Sequence, residues 1–156
     1  LPVGEGTAVR VAVLPVNWAE GDENASRPVG ARFGENITLE GYGWQRRPDK
    51  LQVTLRWSSA EAMDTNYTVF VHLVGPGEGE NVIAQDDAPP LGGRWPTSLW
   101  LPGTTLQDPH TIPLPQDLPS GTYRLLVGLY NPDTGERLPV RGLGDAVQLG
   151  EIDLRR

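Results

Sequence analysis

The 156-residue sequence contains no cysteine. This absence excludes disulfide bonds, the usual cysteine-containing zinc sites and thiol catalysis. It does not identify the compartment, since a domain of this length can bury a sufficient core without covalent cross-links.

Lysine and long apolar runs are also scarce. Lys50 is the only lysine; the other basic residues are arginines scattered along the chain, and the net charge is −7. Nucleic acids and anionic membrane surfaces are therefore not expected partners. No apolar run approaches the roughly 18–20 residues that span a bilayer, so we expect no direct insertion into a membrane.

Helical periodicity is nearly absent, whereas alternation with a period of two residues recurs. The clearest examples are residues 51–57, 67–73 and 123–129. The 19 glycines and 15 prolines supply frequent turns between such segments. This pattern predicts an all-β fold: a single antiparallel β-sandwich, Ig-like or jelly-roll-like, with about eight or nine strands and no substantial helix.

Less regular segments complete the predicted sandwich. We predict a strand at 9–13, a strand from Ile37, a short strand at 82–85, an interrupted edge strand between 106 and 114, a short strand at 138–140 and a last strand at 146–154. A one-residue slip in the alternation at Gly150 predicts a β-bulge, and residues 131–135 predict a tight turn with a positive φ at Gly135. Residues 1–7 are predicted to be a flexible lead-in and residues 8–156 a single domain.

The long connection at residues 85–101, QDDAPPLGGRWPTSLWL, is the most unusual feature of the chain. Most connections have about 4–6 residues, and longer ones are usually functional or disordered. Because Trp95 and Trp100 are atypical of disorder, we expect an ordered surface feature. These rings either bind a ligand or fold back over the open end of the sandwich, whereas Trp57 lies in a regular alternation and is predicted to be core.

The candidate ligand-binding residues are Asp87, Arg94, Trp95, Trp100 and His110. An aromatic face stacks on the C–H groups of a sugar while charged side chains bind its hydroxyl groups. The same residue types also anchor protein interfaces. For His110 two interpretations stay open, a structural hydrogen bond or a role in the site.

We predict that the protein is not an enzyme and has no cofactor or metal. The sequence lacks the Gly-x-Ser-x-Gly motif of a nucleophile elbow, and carboxylate pairs of the kind that glycosidases use occur in any acidic protein. His72, in the middle of a strand, is predicted to be structural. Asp86 and Asp87 beside the proline-rich loop could ligate a structural calcium; alternatively, one of them caps loop amides and the other pairs with Arg94.

Four runs carry a resemblance to a known family: FGENITLEGY, MDTNYTVFVHLVG, AQDDAPPLGGRWPTSLWLPG and DPHTIPLPQDLPSGTYRLLVGLYNPDTGERLPV. They resemble β-sandwich segments at the extracytoplasmic end of bacterial membrane proteins of the mannosyltransferase-like glycosyltransferase type. The resemblance covers about residues 33–154. It implies a bacterial, extracytoplasmic appendage of a larger membrane-associated protein, whose catalysis lies in the membrane-embedded portion, and it maps no catalytic residue here.

We therefore expect a non-catalytic accessory sandwich that binds or orients a glycan or a glycosylated protein. The overall acidity favours a neutral or mannose-type ligand. The alternative is a structural or protein-interaction domain without a small-molecule ligand.

Overall fold

The computed structural model describes residues 27–76 and 81–154, which form two antiparallel four-stranded sheets. The strands are β1 (Arg27–Phe33), β2 (Ile37–Arg47), β3 (Lys50–Ser59), β4 (Thr68–Val74), β5 (Val82–Ala88), β6 (Thr105–Pro113), β7 (Gly121–Tyr130) and β8 (Val147–Leu154). Sheet 1 has the order β1-β2-β3-β6, and sheet 2 has the order β5-β4-β7-β8. The all-β sandwich predicted from the alternation is confirmed. The predicted lead-in at 1–7 and the predicted strand at 9–13 lie outside the described residues.

The core lies between the two sheets and follows the predicted alternation. In β3, Leu51, Val53, Leu55 and Trp57 are fully buried, while the residues between them are partly exposed. The Trp57 ring meets the Phe33 ring edge-on, with the centroids 5.6 Å apart. Trp57 is therefore a core residue, as predicted. Burying a leucine or valine side chain, such as those of Leu51, Val53 and Leu55, contributes about 1.5–3 kcal/mol. Strand β3 is therefore a main source of stability.

The alternation in the sequence does not predict strand β1. Its register with β2 shifts between Pro28 and Ala31, and Gly30 has a φ of 75°. The bulge interrupts the period of two that would have revealed the strand. Proline is tolerated here because β1 is an edge strand of sheet 1.

Two predicted strands are longer in the structure. Strand β5 continues to Ala88, pairing Asp86 with Val71 and Asp87 with Phe70. Strand β6 is continuous through Pro109, which pairs with Thr54. Because β6 has a neighbour only on its β3 side, the N–H that proline lacks can fall on the unpaired side. The long connection therefore starts after Ala88 rather than at Gln85.

Two backbone features predicted near the end of the chain are confirmed, the β-bulge beside Gly150 and the positive φ of Gly135. Gly150 pairs with Leu125 and Gln148 with Leu126, so β8 contains one extra residue next to Gly150. Gly135 has a φ of 77° in the turn that follows β7. The strand predicted at 138–140 is wrong, since this stretch forms only isolated bridges such as that between Phe33 and Val140.

Candidate functional site

The connection between β5 and β6 passes from the edge of sheet 2 to the edge of sheet 1. It contains two short 3-10 turns, Pro90–Gly93 and Thr97–Leu99. Leu91 has a φ of 54° and is the one non-glycine residue with positive φ among residues 27–76 and 81–154. Such a conformation costs about 1–3 kcal/mol, so the surrounding structure must hold it. The Leu91 backbone N–H donates to Asp108 Oδ1 over 2.8 Å, which supplies part of that restraint.

A buried charge network lies beneath this turn. His110 Nε2 is 2.6 Å from Asp108 Oδ2, and His110 Nδ1 is 2.7 Å from Asp86 Oδ2. Trp57 Nε1 also donates to Asp108 Oδ2, over 3.3 Å. The side chains of His110 and Asp108 are almost completely buried, whereas that of Asp86 is 30% exposed. The network thus joins β3 and β6 of sheet 1 to β5 of sheet 2.

The network holds a charged imidazolium. Burial by itself lowers the pKa of His110, but hydrogen bonds to Asp108 and Asp86, together with their negative charges, raise it from 6.5 to about 9. At neutral pH both ring N–H groups therefore donate to carboxylates. A ring in this state has no free lone pair to accept a proton, so His110 acts here as a buried clamp between the sheets.

Trp100 fixes the other half of the connection. Only 3% of its surface is exposed, and its ring lies 6.3 Å from that of Trp57. Its Nε1–H donates to the backbone carbonyl of Trp95 over 2.9 Å. Trp100 is therefore a support for Trp95, with its own ring covered by the sandwich.

Thr97 ties the connection to the segment that precedes β4. Its hydroxyl donates to the Thr65 carbonyl over 2.6 Å and accepts from the Tyr67 N–H over 3.1 Å. Ser98 N–H donates to Asn66 Oδ1 over 3.0 Å. Because these bonds join segments about 30 residues apart, the connection is a pinned structure, as the tryptophans led us to expect.

The connection also exposes several large apolar side chains to solvent. The large hydrophobic side chains exposed in the described residues are Trp95, Leu99 and Leu101, at 42%, 53% and 61%. All three belong to one short stretch of the connection. Arg94 is exposed beside Trp95, and its Nε donates to the Leu91 carbonyl over 3.1 Å. We call Arg94, Trp95, Leu99 and Leu101 the loop surface.

Asp87 lies elsewhere, on the outer face of sheet 2. Its carboxylate accepts from the Tyr130 hydroxyl and the Gln85 amide, each over 3.1 Å, and lies 3.6 Å from His72 Nε2. Burial, followed by the negative charge of Asp87, raises the pKa of Tyr130. Since successive strand residues face opposite sides, Asp86 and Asp87 diverge, and the first joins His110 while the second does not.

The structure therefore divides the five predicted site residues among four places. Arg94 and Trp95 share the loop surface, Trp100 supports it from inside, His110 is in the buried network, and Asp87 is on sheet 2. The partner suggested for Arg94, one of the adjacent aspartates, is replaced by the Leu91 carbonyl. The amide-capping aspartate is Asp108 rather than Asp86 or Asp87.

Sequence reasoning missed the roles of Asp108, Asp86 and Thr97. One signal was available for the first: in a strand, residues two apart share a face, so Asp108 and His110 had to point the same way once β6 was continuous. No local signal identifies Thr97, whose partners are distant in the chain.

No set of three or more histidine, aspartate or glutamate side chains suited to a metal ion occurs within residues 27–76 and 81–154. Over the same ranges there is no helix of sufficient length and apolar character to cross a membrane. Comparison with models of protein families gives no match, and no curated protein matches the chain. The resemblance to mannosyltransferase-like membrane proteins therefore stays a prediction.

Proposed function

We propose that this protein is a non-catalytic, extracytoplasmic accessory domain whose loop surface binds a glycan or a glycosylated substrate for a larger membrane-associated glycosyltransferase. The observation that carries the proposal is the exposure of Trp95 on a connection pinned from within. A loop backbone that is held in place before binding loses little conformational freedom when a ligand binds. The neighbouring Arg94 supplies hydrogen-bond donors for sugar hydroxyl groups.

The buried network supports a binding role over a catalytic one. The pKa of His110 is raised by its carboxylate partners, and groups with a shifted pKa are the usual candidates for acid–base chemistry. Here both ring nitrogens are occupied by Asp86 and Asp108, and the ring is buried. The raised pKa of His110 is therefore explained by its hydrogen bonds to Asp86 and Asp108, which link the two sheets.

A site of this kind is weak. One exposed ring and one arginine correspond to a dissociation constant on the order of 0.1–1 mM, or about −4 to −5.5 kcal/mol. Titration of the isotope-labelled protein with neutral oligosaccharides, including mannose-type ones, measures such affinities by NMR. We expect shifts of the Arg94 and Trp95 amide signals and of the Trp95 indole signal.

Two variants give the control. Trp95→Ala removes the ring and should abolish the shifts, whereas Trp95→Phe keeps an aromatic face and should retain weaker binding. If no sugar shifts any signal near the connection, the loop surface does not bind glycans and the proposed function is wrong. Shifts that persist in Trp95→Ala would place the ligand on another surface.

Leu99 and Leu101 favour a second function, docking to a protein. Aliphatic side chains have no hydrogen-bonding groups for sugar hydroxyls, and exposed apolar patches often mark protein interaction sites. The partner would be the membrane-embedded portion of the same larger protein. Leu99→Ser with Leu101→Ser should weaken association with that portion and leave sugar binding by Trp95 unchanged, which separates the two functions.

A further inference from the structure

Strand pairing brings six of the thirteen lysines and arginines of the chain together on sheet 1. The strands of sheet 1 contain six basic residues, namely Arg27, Arg32, Arg46, Arg47, Lys50 and Arg56. They contain two acidic residues, Glu40 and Asp108. Asp108 is buried in the network beneath the connection, and Glu40 Oε2 accepts from the Ser58 hydroxyl over 2.5 Å. The sheet is therefore locally basic in a protein with a net charge of −7.

A polar groove lies on the outer face of this sheet. It encloses about 160 Å³ and is lined by Gln45, Gln52, Thr54, Pro109, His110 and Thr111. Gln52 pairs with Gln45 on one side and with Thr111 on the other, and Thr54 pairs with Pro109. Since paired residues share a face, these side chains form two adjacent rows across three strands. We call this site the outer groove.

The outer groove presents unused hydrogen-bonding groups. Gln45 Oε1 is buried and has no hydrogen-bond partner in the described part of the chain. A buried acceptor without a protein partner costs free energy unless water or a ligand donates to it, so Gln45 Oε1 is available to a donor from a bound ligand. Gln52 Oε1 already accepts from Arg47 Nε over 3.3 Å, which directs the Gln52 amide donors elsewhere. The Thr54 and Thr111 hydroxyls both donate and accept.

Cations border the outer groove at both ends. Arg47 and Lys50 pair with each other, two residues beyond the row of Gln45 and Gln52. Arg56 stands two residues beyond Thr54 in the other direction. Two strand residues span about 7 Å, so each cation is within reach of a ligand in the groove. Among the described residues, Arg47, Lys50 and Arg56 form no salt bridge with a carboxylate.

We propose that the outer groove binds an oligosaccharide that carries carboxylate groups, of the hexuronate type. Hydroxyl groups of the sugar donate to Gln45 Oε1 and bind the Gln52 amide and the threonine hydroxyls. A carboxylate lies between Arg47 and Lys50, and the exposed ring of Pro109 contacts a C–H face. This site is separate from the loop surface, and it extends the expected ligands from neutral glycans to acidic ones.

Competing anionic ligands fit less well. Single-stranded nucleic acid is bound on aromatic stacking platforms along a continuous basic track, and the lining of the outer groove contains no tryptophan, tyrosine or phenylalanine. The net charge of −7 also opposes a polyanion of high charge density. A short sugar acid with one carboxylate per residue and many hydroxyl groups matches the mixed lining.

The test is an NMR titration with a galacturonic acid trisaccharide, run beside a neutral galactose trisaccharide. We expect the acidic trisaccharide to shift the amide signals of Gln45, Gln52, Thr54 and Thr111, and to bind less tightly as the salt concentration rises. Equal binding of the neutral trisaccharide, or absence of shifts in these residues, would overturn the proposal.

Variants on the sheet surface locate the site. Arg47→Ala with Lys50→Ala removes the two cations that bind the carboxylate of the ligand. Because these charge-assisted contacts are exposed to solvent, we expect binding to weaken about five- to tenfold. Arg32→Ala is the matched control, because Arg32 lies on the same sheet but pairs with Thr38, far from the groove. Equal losses in the control and the double variant would contradict the site.

Two further variants exclude indirect effects. Gln45→Glu keeps the size of the side chain and adds a negative charge, so it should abolish binding while the rest of the spectrum stays unchanged. Trp95→Ala should leave binding of the acidic trisaccharide intact, even if it abolishes binding at the loop surface. Loss of acidic-sugar binding in Trp95→Ala would assign that ligand to the loop surface and overturn the outer groove.

Discussion

Asp86 and His110 belong to different sheets, and the 2.7 Å between Asp86 Oδ2 and His110 Nδ1 is a direct ionic hydrogen bond between them. Strand β5 is the edge of sheet 2, and β6 is the edge of sheet 1. The contact therefore closes the sandwich at the side where two edges would otherwise face each other without backbone pairing. Asp108 extends the contact to Leu91, and so couples this closure to the shape of the connection that presents Trp95.

We predict that stability falls as the pH rises through the pKa of His110. The pKa of the folded state is raised from 6.5 to about 9, so the stabilisation is complete below pH ~6.5 and is lost as the pH approaches ~9. A shift of this size corresponds to roughly 3 kcal/mol in all. Urea unfolding followed between pH 6 and pH 9.5 measures the slope.

His110→Gln is the variant that assigns this slope. It removes the titrating ring, so the unfolding free energy should be lower at pH 7 and nearly constant up to pH 9. His72→Gln is the control, because it replaces a histidine outside the network and leaves the contacts of His110 with Asp86 and Asp108 in place. A slope that survives in His110→Gln would show that another group causes it.

Asp108→Asn should release the connection without unfolding the sandwich. The change leaves the buried imidazolium with one charged partner instead of two, and breaking a buried ion pair costs about 3–5 kcal/mol. Hydrogen exchange should show protection of residues 89–101 in the original protein and lower protection at residues 91–95 in the variant. Limited proteolysis near Gly92 and Gly93 should become faster.

The matched control for this variant is Asp87→Asn. Its carboxylate binds Tyr130 on the outer face of sheet 2, so protection of the connection should not change. Equal protection in Asp108→Asn and the original protein would mean that Thr97 and Trp100 hold the connection without the network.

The two tryptophans of the connection should differ sharply on truncation. Trp100→Ala removes a buried ring that contacts Trp57, and aromatic truncations in a core cost about 3–5 kcal/mol. Trp95→Ala changes an exposed side chain and should alter stability by about 0.5 kcal/mol or less. Thermal or urea unfolding of both variants measures the difference. Similar losses in the two variants would mean that the Trp95 ring is also packed.

A side chain at position 128 should destabilise the protein while Phe70 is present. A Cβ on Gly128 would overlap Phe70 Cζ and would lie 3.1 Å from the backbone carbonyl oxygen of Asp145. Overpacking of this kind costs about 1–3 kcal/mol, so Gly128→Ala should lower the unfolding free energy by that amount. Phe70→Leu combined with Gly128→Ala should cost less than the sum of the two single changes. Additive losses would show that the carbonyl contact dominates.

Much of the fold is visible in local patterns. The alternation in β3 and β7 predicts which residues are buried, because these strands have one face in the core and one more exposed face. In β4 the alternation predicts the core face, but Phe70 and His72 on the outer face are buried as well. The same argument identified Trp57 as core and placed a bulge beside Gly150. It failed in β1 and β6, where Pro28, Gly30 and Pro109 break the pattern and edge position makes the break tolerable.

The sequence also predicts an ordered connection with two tryptophans, and the structure shows that Trp95 is exposed on it. Only the tertiary structure decided which neighbours each residue received. Asp86 and Asp87 are adjacent in the chain, yet the pleat of β5 sends one to His110 and the other to Tyr130. Arginines and glutamines that are scattered in sequence meet around the outer groove because strand register joins them. The local pattern specifies which face of a strand a residue occupies. The pairing of strands that are distant in the chain specifies which side chains are its neighbours on that face, and no short window of sequence contains that pairing.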